Sequence, residues 1–253
     1  MKILKFTLKG ANAFFKIPEV NSYFYFTYSH IHKIALLGMF GAILGYGGYN
    51  QMPKKKKNSE LVSSYPEFYS RLKDIQVSIC PNSEKGFIPK KIQTFNNSVG
   101  YASNEQGGNL IVKEQWLDHP SWDIYVQINN EETEKLCEFI CSHTCIYHPY
   151  LGKNDHLADI INIKIYNETK VDFDRGQLNC LYPSDIASVV ILDEFEKEEL
   201  DSLTTYKYQE QLPYLMDELT NNYILRKFLY TDALLEKILT DVYYCDEKNI
   251  VFY

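Results

Sequence analysis

Residues 33–50 read KIALLGMFGAILGYGGYN, and this stretch decides the fold. It is apolar and helix-like, yet it carries Gly38, Gly41 and Gly45, then Gly47 and Gly48. Glycine inside a helix costs about 1 kcal/mol relative to alanine, so three ask for roughly 3 kcal/mol of compensation. Close packing on the bare backbone is the usual source. Ala35, Gly38, Ala42 and Gly45 lie three or four apart and share one face. That face can take a helix, a strand or a phosphate backbone, and the residues before it favour the last.

Those residues are KGANAFFKIP at 9–18 and TYSHIHK at 27–33. Basic and aromatic side chains interleave with small ones. Lysines contact phosphates, and aromatic faces stack on unpaired bases at roughly 1–3 kcal/mol per base. The same residues are also open to a plainer reading, a loop that packs its aromatics on the core.

The net charge of −7 argues against a polyanion, but its distribution does not. Residues 1–127 balance at +6 and residues 128–253 at −13. The first 57 residues hold nine lysines and one acid, Glu19. This asymmetry predicts a basic face for nucleic acid and an acidic region for another partner or for solvent. Arginine occurs only at 71, 175 and 226. Lysine acts as a point charge, so such a binder positions a strand by its phosphates more than it reads sequence.

Around the glycine helix, the periodicity predicts an α+β chain. Strands are expected at 1–9, 74–80, 123–128 and 160–166, and helices at 64–72 and 131–147. Residues 85–117 hold two strand-like segments around Gly107 and Gly108 and read as a long hairpin. The order is that of a ferredoxin-like or RNA-recognition-motif-like domain over 1–168 with an inserted hairpin. It lacks the aromatic submotif that stacks bases on the sheet, so RNA is expected over the loop, the glycine helix and the hairpin. Residues 169–253 read as a smaller, acidic, β-rich appendage. Strands are expected at 189–192, 223–230 and 249–252, with a helix at 231–240.

Cys137, Cys141 and Cys145 recur every fourth residue, which on a helix makes one buried apolar stripe. Zinc sites usually pair cysteines two to four apart on turns, so no metal is expected. The chain opens directly on a strand-like run, which predicts a cytoplasmic, reduced protein. The apolar run of thirteen residues at 34–46 falls short of the roughly 18–20 that a membrane span needs, so no membrane partner is expected. The Lys54–Lys57 run that follows reads as a solvated loop.

Four of these features in order resemble the CRISPR-associated protein family five. They are the stretch at Gly10 to Pro18, the Ala35 to Gly45 helix, the QWLDHPSWDIYV run at 115–126 and the HPYLGKN turn at 148–154. The likeness covers residues 1 to about 168 and looks most like the type I-B branch. It implies a subunit of a Cascade surveillance complex that caps the 5′ handle of the guide RNA (crRNA). Its partners would be the backbone subunit, the large subunit and, through the complex, target DNA. The 85–117 hairpin becomes a thumb over the RNA. RNA contacts are expected from Lys9, Asn12, Phe15, Lys16, His30, His32 and Lys33, over a floor at Gly38, with Lys113, Gln115 and Trp116 closing the top.

No Walker loop, zincin motif or nuclease aspartate pair is present, and no cofactor is expected. His30-x-His32 is open to reading as a general acid and base for RNA cleavage. Relatives in the type I-C branch cut the guide precursor with a tyrosine near the glycine helix and a Lys-His pair on the thumb. Tyr46 and Tyr49 would supply the tyrosine here, but the Lys-His pair is missing. A non-catalytic subunit is therefore expected, with an endoribonuclease as the alternative.

Overall fold

A computed structural model describes residues 1–19, 24–52, 65–98, 100–101, 104–190 and 206–253. The amino-terminal elements are β1 (Lys2–Lys9), β2 (Asn12–Ala13), α1 (Lys33–Leu44), α2 (Glu67–Leu72), β3 (Val77–Pro81), β4 (Lys90–Asn96), β5 (Ile111–Asp118), β6 (Ser121–Ile128), α3 (Glu131–Cys141) and β7 (Asp159–Asn167). Then follow β8 (Lys170–Val171), β9 (Arg175–Gly176), β10 (Tyr182–Pro183), β11 (Ser188–Val189), β12 (Lys207–Met216), β13 (Tyr223–Thr231), β14 (Leu235–Glu236), β15 (Val242–Cys245) and β16 (Lys248–Val251).

The central sheet runs β3-β6-β1-β7, all neighbours antiparallel. With α1 between β1 and β3 and α3 between β6 and β7, this is a βαββαβ arrangement, so the expected α+β class holds. The β4–β5 hairpin is inserted between β3 and β6, and β2 joins it as a third strand.

Both sheet faces are covered, which is why six consecutive residues of β1 are buried. Leu4, Phe6, Leu8, Trp122 and Ile124 pack on the helices. Ile3, Cys80 and Tyr125 pack with Leu229, Leu235 and Ile250 from the carboxy-terminal strands. Between the layers sits a charge network: Lys248 Nζ reaches Asp123 at 2.7 Å, and Lys5 lies 3.3 Å from both Asp123 and Asp246. The face on which a recognition motif would stack bases is thus closed. The carboxy-terminal region also enters the main core through Leu212, Met216, Phe228 and Tyr253, so the expected regions 1–168 and 169–253 share one core.

Helix α1 starts at His32, whose Nδ1 accepts from the Ala35 amide, and ends at Gly45, in the left-handed region at φ 81°. It is buried on nearly every side. Ala35, Gly38, Ala42 and Gly45 form its half-exposed stripe.

Three expectations are corrected. Helix α3 stops at Cys141, not near residue 147. Ser142 Oγ donates back to the Glu138 carbonyl, His143 takes φ 53°, and the Ile146 and Tyr147 amides donate to α1 carbonyls instead. The cysteine stripe dissolves with it: Cys137 is buried, Cys141 exposed and Cys145 half-buried off the helix. The helix expected at 231–240 is absent. Thr231 Oγ1 accepts from the Ala233 amide, and Leu235 pairs with both Gly176 and Val189 as β14. Of the strand expected at 189–192, the described part is β11; residues 191–192, the acidic run after them and Lys54–Lys57 lie outside the described residues.

Candidate nucleic-acid interface

The half-exposed stripe of α1 forms the floor of a groove of about 930 Å³, lined there by Ala35, Gly38 and Ala42. One wall carries Phe14, Phe15, Lys16, Glu114, Gly152 and Lys153. The opposite wall carries Tyr46, Gly48, Tyr49 and Phe68, and His32, Tyr223, Tyr147 and Tyr150 are also among the lining residues. Small residues below, flat rings beside and lysines along one rim suit an unpaired nucleic-acid strand.

The three helix glycines have three different causes. A Cβ on Gly41 would lie 2.5 Å from the Phe68 Cβ, so α2 packs on bare backbone there. Gly45 needs its positive φ, and Ile146 presses on it. Gly38 has no such constraint: a Cβ there would meet only the Phe68 ring, at 4.0 Å. The described packing does not require glycine at this position.

The first wall is held by the turn at 149–158. Phe14 donates its amide to the Leu151 carbonyl. Gly152 sits at φ 86°, and a Cβ there would lie 1.9 Å from the Phe14 carbonyl oxygen, so only glycine allows this approach. The turn delivers Lys153 onto the hairpin, 2.9 Å from Glu114 Oε2 and over the Phe95 and Trp116 rings. Trp116 Nε1 donates to the same oxygen at 2.7 Å.

Of the residues expected from sequence, Phe15, Lys16, His32 and Gly38 line the groove. Lys16 is exposed, with its ammonium 4.2 Å from the Tyr25 ring centre. Lys9 is exposed at the end of β1, and Asn12 lies in β2 beside Asp118; neither lines the groove. Lys113 and Gln115 project from the opposite face of β5 to Glu114 and Trp116, as a strand period of two requires, with Lys113 over the Phe24 ring. Trp116 is half-buried behind Glu114.

His30 and Lys33 are interior. His30 is 1% exposed, accepts from Trp122 Nε1 at 3.1 Å and meets the Tyr208 ring edge-on at 4.7 Å. Burial pushes its pKa down to about 3, with Lys90 adding to the fall. His32 is likewise pushed to about 3 by burial, and its Nδ1 caps α1. Burial lowers Lys33 to about 8 beneath the Tyr214 ring. The plainer reading of residues 27–33 therefore describes these side chains. Both imidazoles are engaged in hydrogen bonds within the fold, His30 with Trp122 and His32 with the first turn of α1.

Sequence reasoning overlooked Glu114 and Lys153 as groove residues. The signal for Glu114 was the alternation of β5, which sets residue 114 opposite to residues 113 and 115. Among the described residues, no three His, Cys, Asp or Glu side chains gather as for a metal ion, and no helix is long and apolar enough to cross a membrane.

Similar architectures occur in solved structures. A chain of a CRISPR RNA-guided surveillance complex superposes with a TM-score of 0.53 at 12% identity, over 91% of this chain and 90% of that one. A CRISPR protein from Archaeoglobus fulgidus gives 0.52 at 9% identity, over 99% and 98%. A chain of the type III-B Cmr-beta complex, bound to cognate target RNA and AMPPnP, gives 0.51 at 11% identity, over 94% and 86%. This chain has the fold of CRISPR-associated proteins. At these identities the likeness is one of fold. No family model and no curated protein matches the sequence.

Proposed function

We propose that this protein is a non-catalytic guide-RNA-binding subunit of a type I CRISPR surveillance complex. It would hold the 5′ handle of the guide and bridge the backbone filament to the large subunit. The observation that carries this reading is the open floor at Gly38. A helix surface is left bare where the protein's own packing does not require it, at the bottom of an aromatic and basic groove. The shared CRISPR fold supplies the context.

The alternative, an endoribonuclease, rests on Tyr46 and Tyr49, which both line the groove. Burial and the hydrogen bond to Glu132 push Tyr46 up to about 12, and burial does the same for Tyr49. Groups so far from neutrality are poor general acids or bases at pH 7. With His30 and His32 held neutral inside, these features support binding without cleavage.

The test is a labelled repeat RNA carrying the 5′ handle, incubated with purified protein without added metal. Retarded, intact RNA is the expected result. Site-specific cleavage abolished by Tyr46→Phe or Tyr49→Phe would replace this reading with the endoribonuclease, and absence of binding would remove both.

A further inference from the structure

Glu114 is anomalous in this groove. It is an acid on a wall otherwise lined by rings, small residues and lysines, and its side chain is only 8% exposed. Its two oxygens differ. Oε2 accepts from both Trp116 Nε1 and Lys153 Nζ, at 2.7 and 2.9 Å. Oε1 takes no hydrogen bond from any described residue. The carboxylate is fixed on both sides, because Trp116 stands on the same strand and Lys153 is delivered by the turn that Gly152 clamps to Phe14.

A carboxylate oxygen held in place on the wall of a cleft, with no donor among the described residues, is an acceptor that a ligand can use. It repels phosphate, so the sugar–phosphate chain cannot pass against it. A ribose hydroxyl carries phosphates on both sides and would bring them near. The edge of a base lies farthest from the backbone and reaches a recessed wall without that penalty. Tyr150, exposed and lining the same groove, offers a ring for the flat part of such a base.

We infer that Glu114 is a specificity-determining residue, whose Oε1 accepts a hydrogen bond from the exocyclic amino group of one inserted base. This rests on the groove binding single-stranded RNA. It makes the groove a discriminating one at that position, against a base whose amino group is replaced by a carbonyl. Lys153 and Trp116 act as positioning residues through Glu114.

The experiment measures anisotropy of labelled eight-nucleotide oligo(C), oligo(U) and 2′-deoxy oligo(C) with wild-type protein, Glu114→Gln and Glu114→Asp. Gln keeps an acceptor for Trp116 and Lys153 but turns an amide NH₂ toward the ligand; Asp withdraws the free oxygen by one methylene. Wild type is expected to prefer oligo(C) over oligo(U) by ~10-fold, the scale of a hydrogen bond to a charged group. Glu114→Gln should abolish or reverse that preference, and Glu114→Asp should weaken it. Thermal unfolding of each variant confirms that it is folded. Loss of the preference on removing the 2′-hydroxyls would overturn the inference by assigning Glu114 to the sugar. So would a preference unchanged in both variants, or none in the wild type. Failure of wild type to bind any oligonucleotide would instead overturn the RNA-binding reading, and this inference with it.

Discussion

Gly41 and Phe68 meet backbone to side chain: a Cβ on Gly41 would sit 2.5 Å from the Phe68 Cβ, whereas one turn earlier, at Gly38, the same ring is 4.0 Å away. Two glycines on one helix therefore answer to different demands, and substitutions separate them.

Gly41→Ala forces α2 away from α1 and should lower stability by about 1–3 kcal/mol, as overpacking does. Gly38→Ala should raise stability by up to about 1 kcal/mol, because the helix gains propensity without a clash. Gly38→Leu should stay folded yet weaken RNA binding at least ~10-fold, because its side chain occupies the floor. Urea unfolding beside a binding titration reads both. Unchanged binding by Gly38→Leu would show that the ligand does not approach α1.

Among the described residues, Lys16 and Lys153 are the lysines that line the groove. For a single strand, each phosphate contact contributes about −0.7 to the slope of log affinity against log salt. Lys16→Ala should flatten the slope by that amount. Lys153→Ala removes a cation already paired with Glu114, so it should change the slope less and loosen Glu114 instead. An unchanged slope in Lys16→Ala would take residue 16 off the path of the strand.

His30 gives a pH dependence of stability. Its folded pKa, about 3, lies below the ordinary value of 6.5. As pH falls through 6.5, the unfolded chain takes a proton that the folded chain refuses, so stability declines until the pH nears 3. His30→Gln keeps an acceptor for Trp122 Nε1 without titrating there. Its stability should be less steep between pH 6 and pH 4 in denaturant titrations. A slope equal to wild type would show that His30 titrates normally.

Asp123 adds a second, lower window. Burial alone would raise its pKa, but hydrogen bonds from Lys248 and Thr7 and the charge of Lys5 hold it below the usual carboxylate range. Its contribution is present above the unfolded pKa of about 3.9 and is lost as pH falls through the folded value. Asp123→Asn leaves Lys5 and Lys248 short of a counter-charge and should cost about 3–5 kcal/mol at pH 7, with a smaller deficit at pH 2.5. An equal deficit at both values would assign the loss to packing.

Much of the architecture was legible. Strands at 1–9, 123–128 and 160–166 and the apolar run of α1 with its stripe of small residues were read from the sequence, and all are present. Of the residues expected to contact RNA, Phe15, Lys16 and Gly38 stay with their local elements and line the groove. The site was not legible where tertiary packing decides. His30 looks like a loop histidine until β12 brings Tyr208 against it. The end of α3 was hidden because hydrogen bonds to α1, distant in sequence, replaced its next turn. The two-residue strands of the carboxy-terminal region carry too little pattern to be read at all.

The lock between Lys248 and Asp123, and the paired amides and carbonyls of Val77 and Tyr253, have a consequence for synthesis. β3 leaves the ribosome about 100 residues before Leu181, whose amide donates to the Ile79 carbonyl, and about 175 before Tyr253, which pairs with Val77. Until these segments follow, the nascent chain carries an open strand edge of the kind that pairs with other chains, and Cys80 and Tyr125 wait for their cover from Leu178, Tyr182, Leu229 and Leu235. Stalling translation before residue 178 should therefore yield a species that aggregates or recruits a chaperone, whereas synthesis through residue 253 closes the sheet.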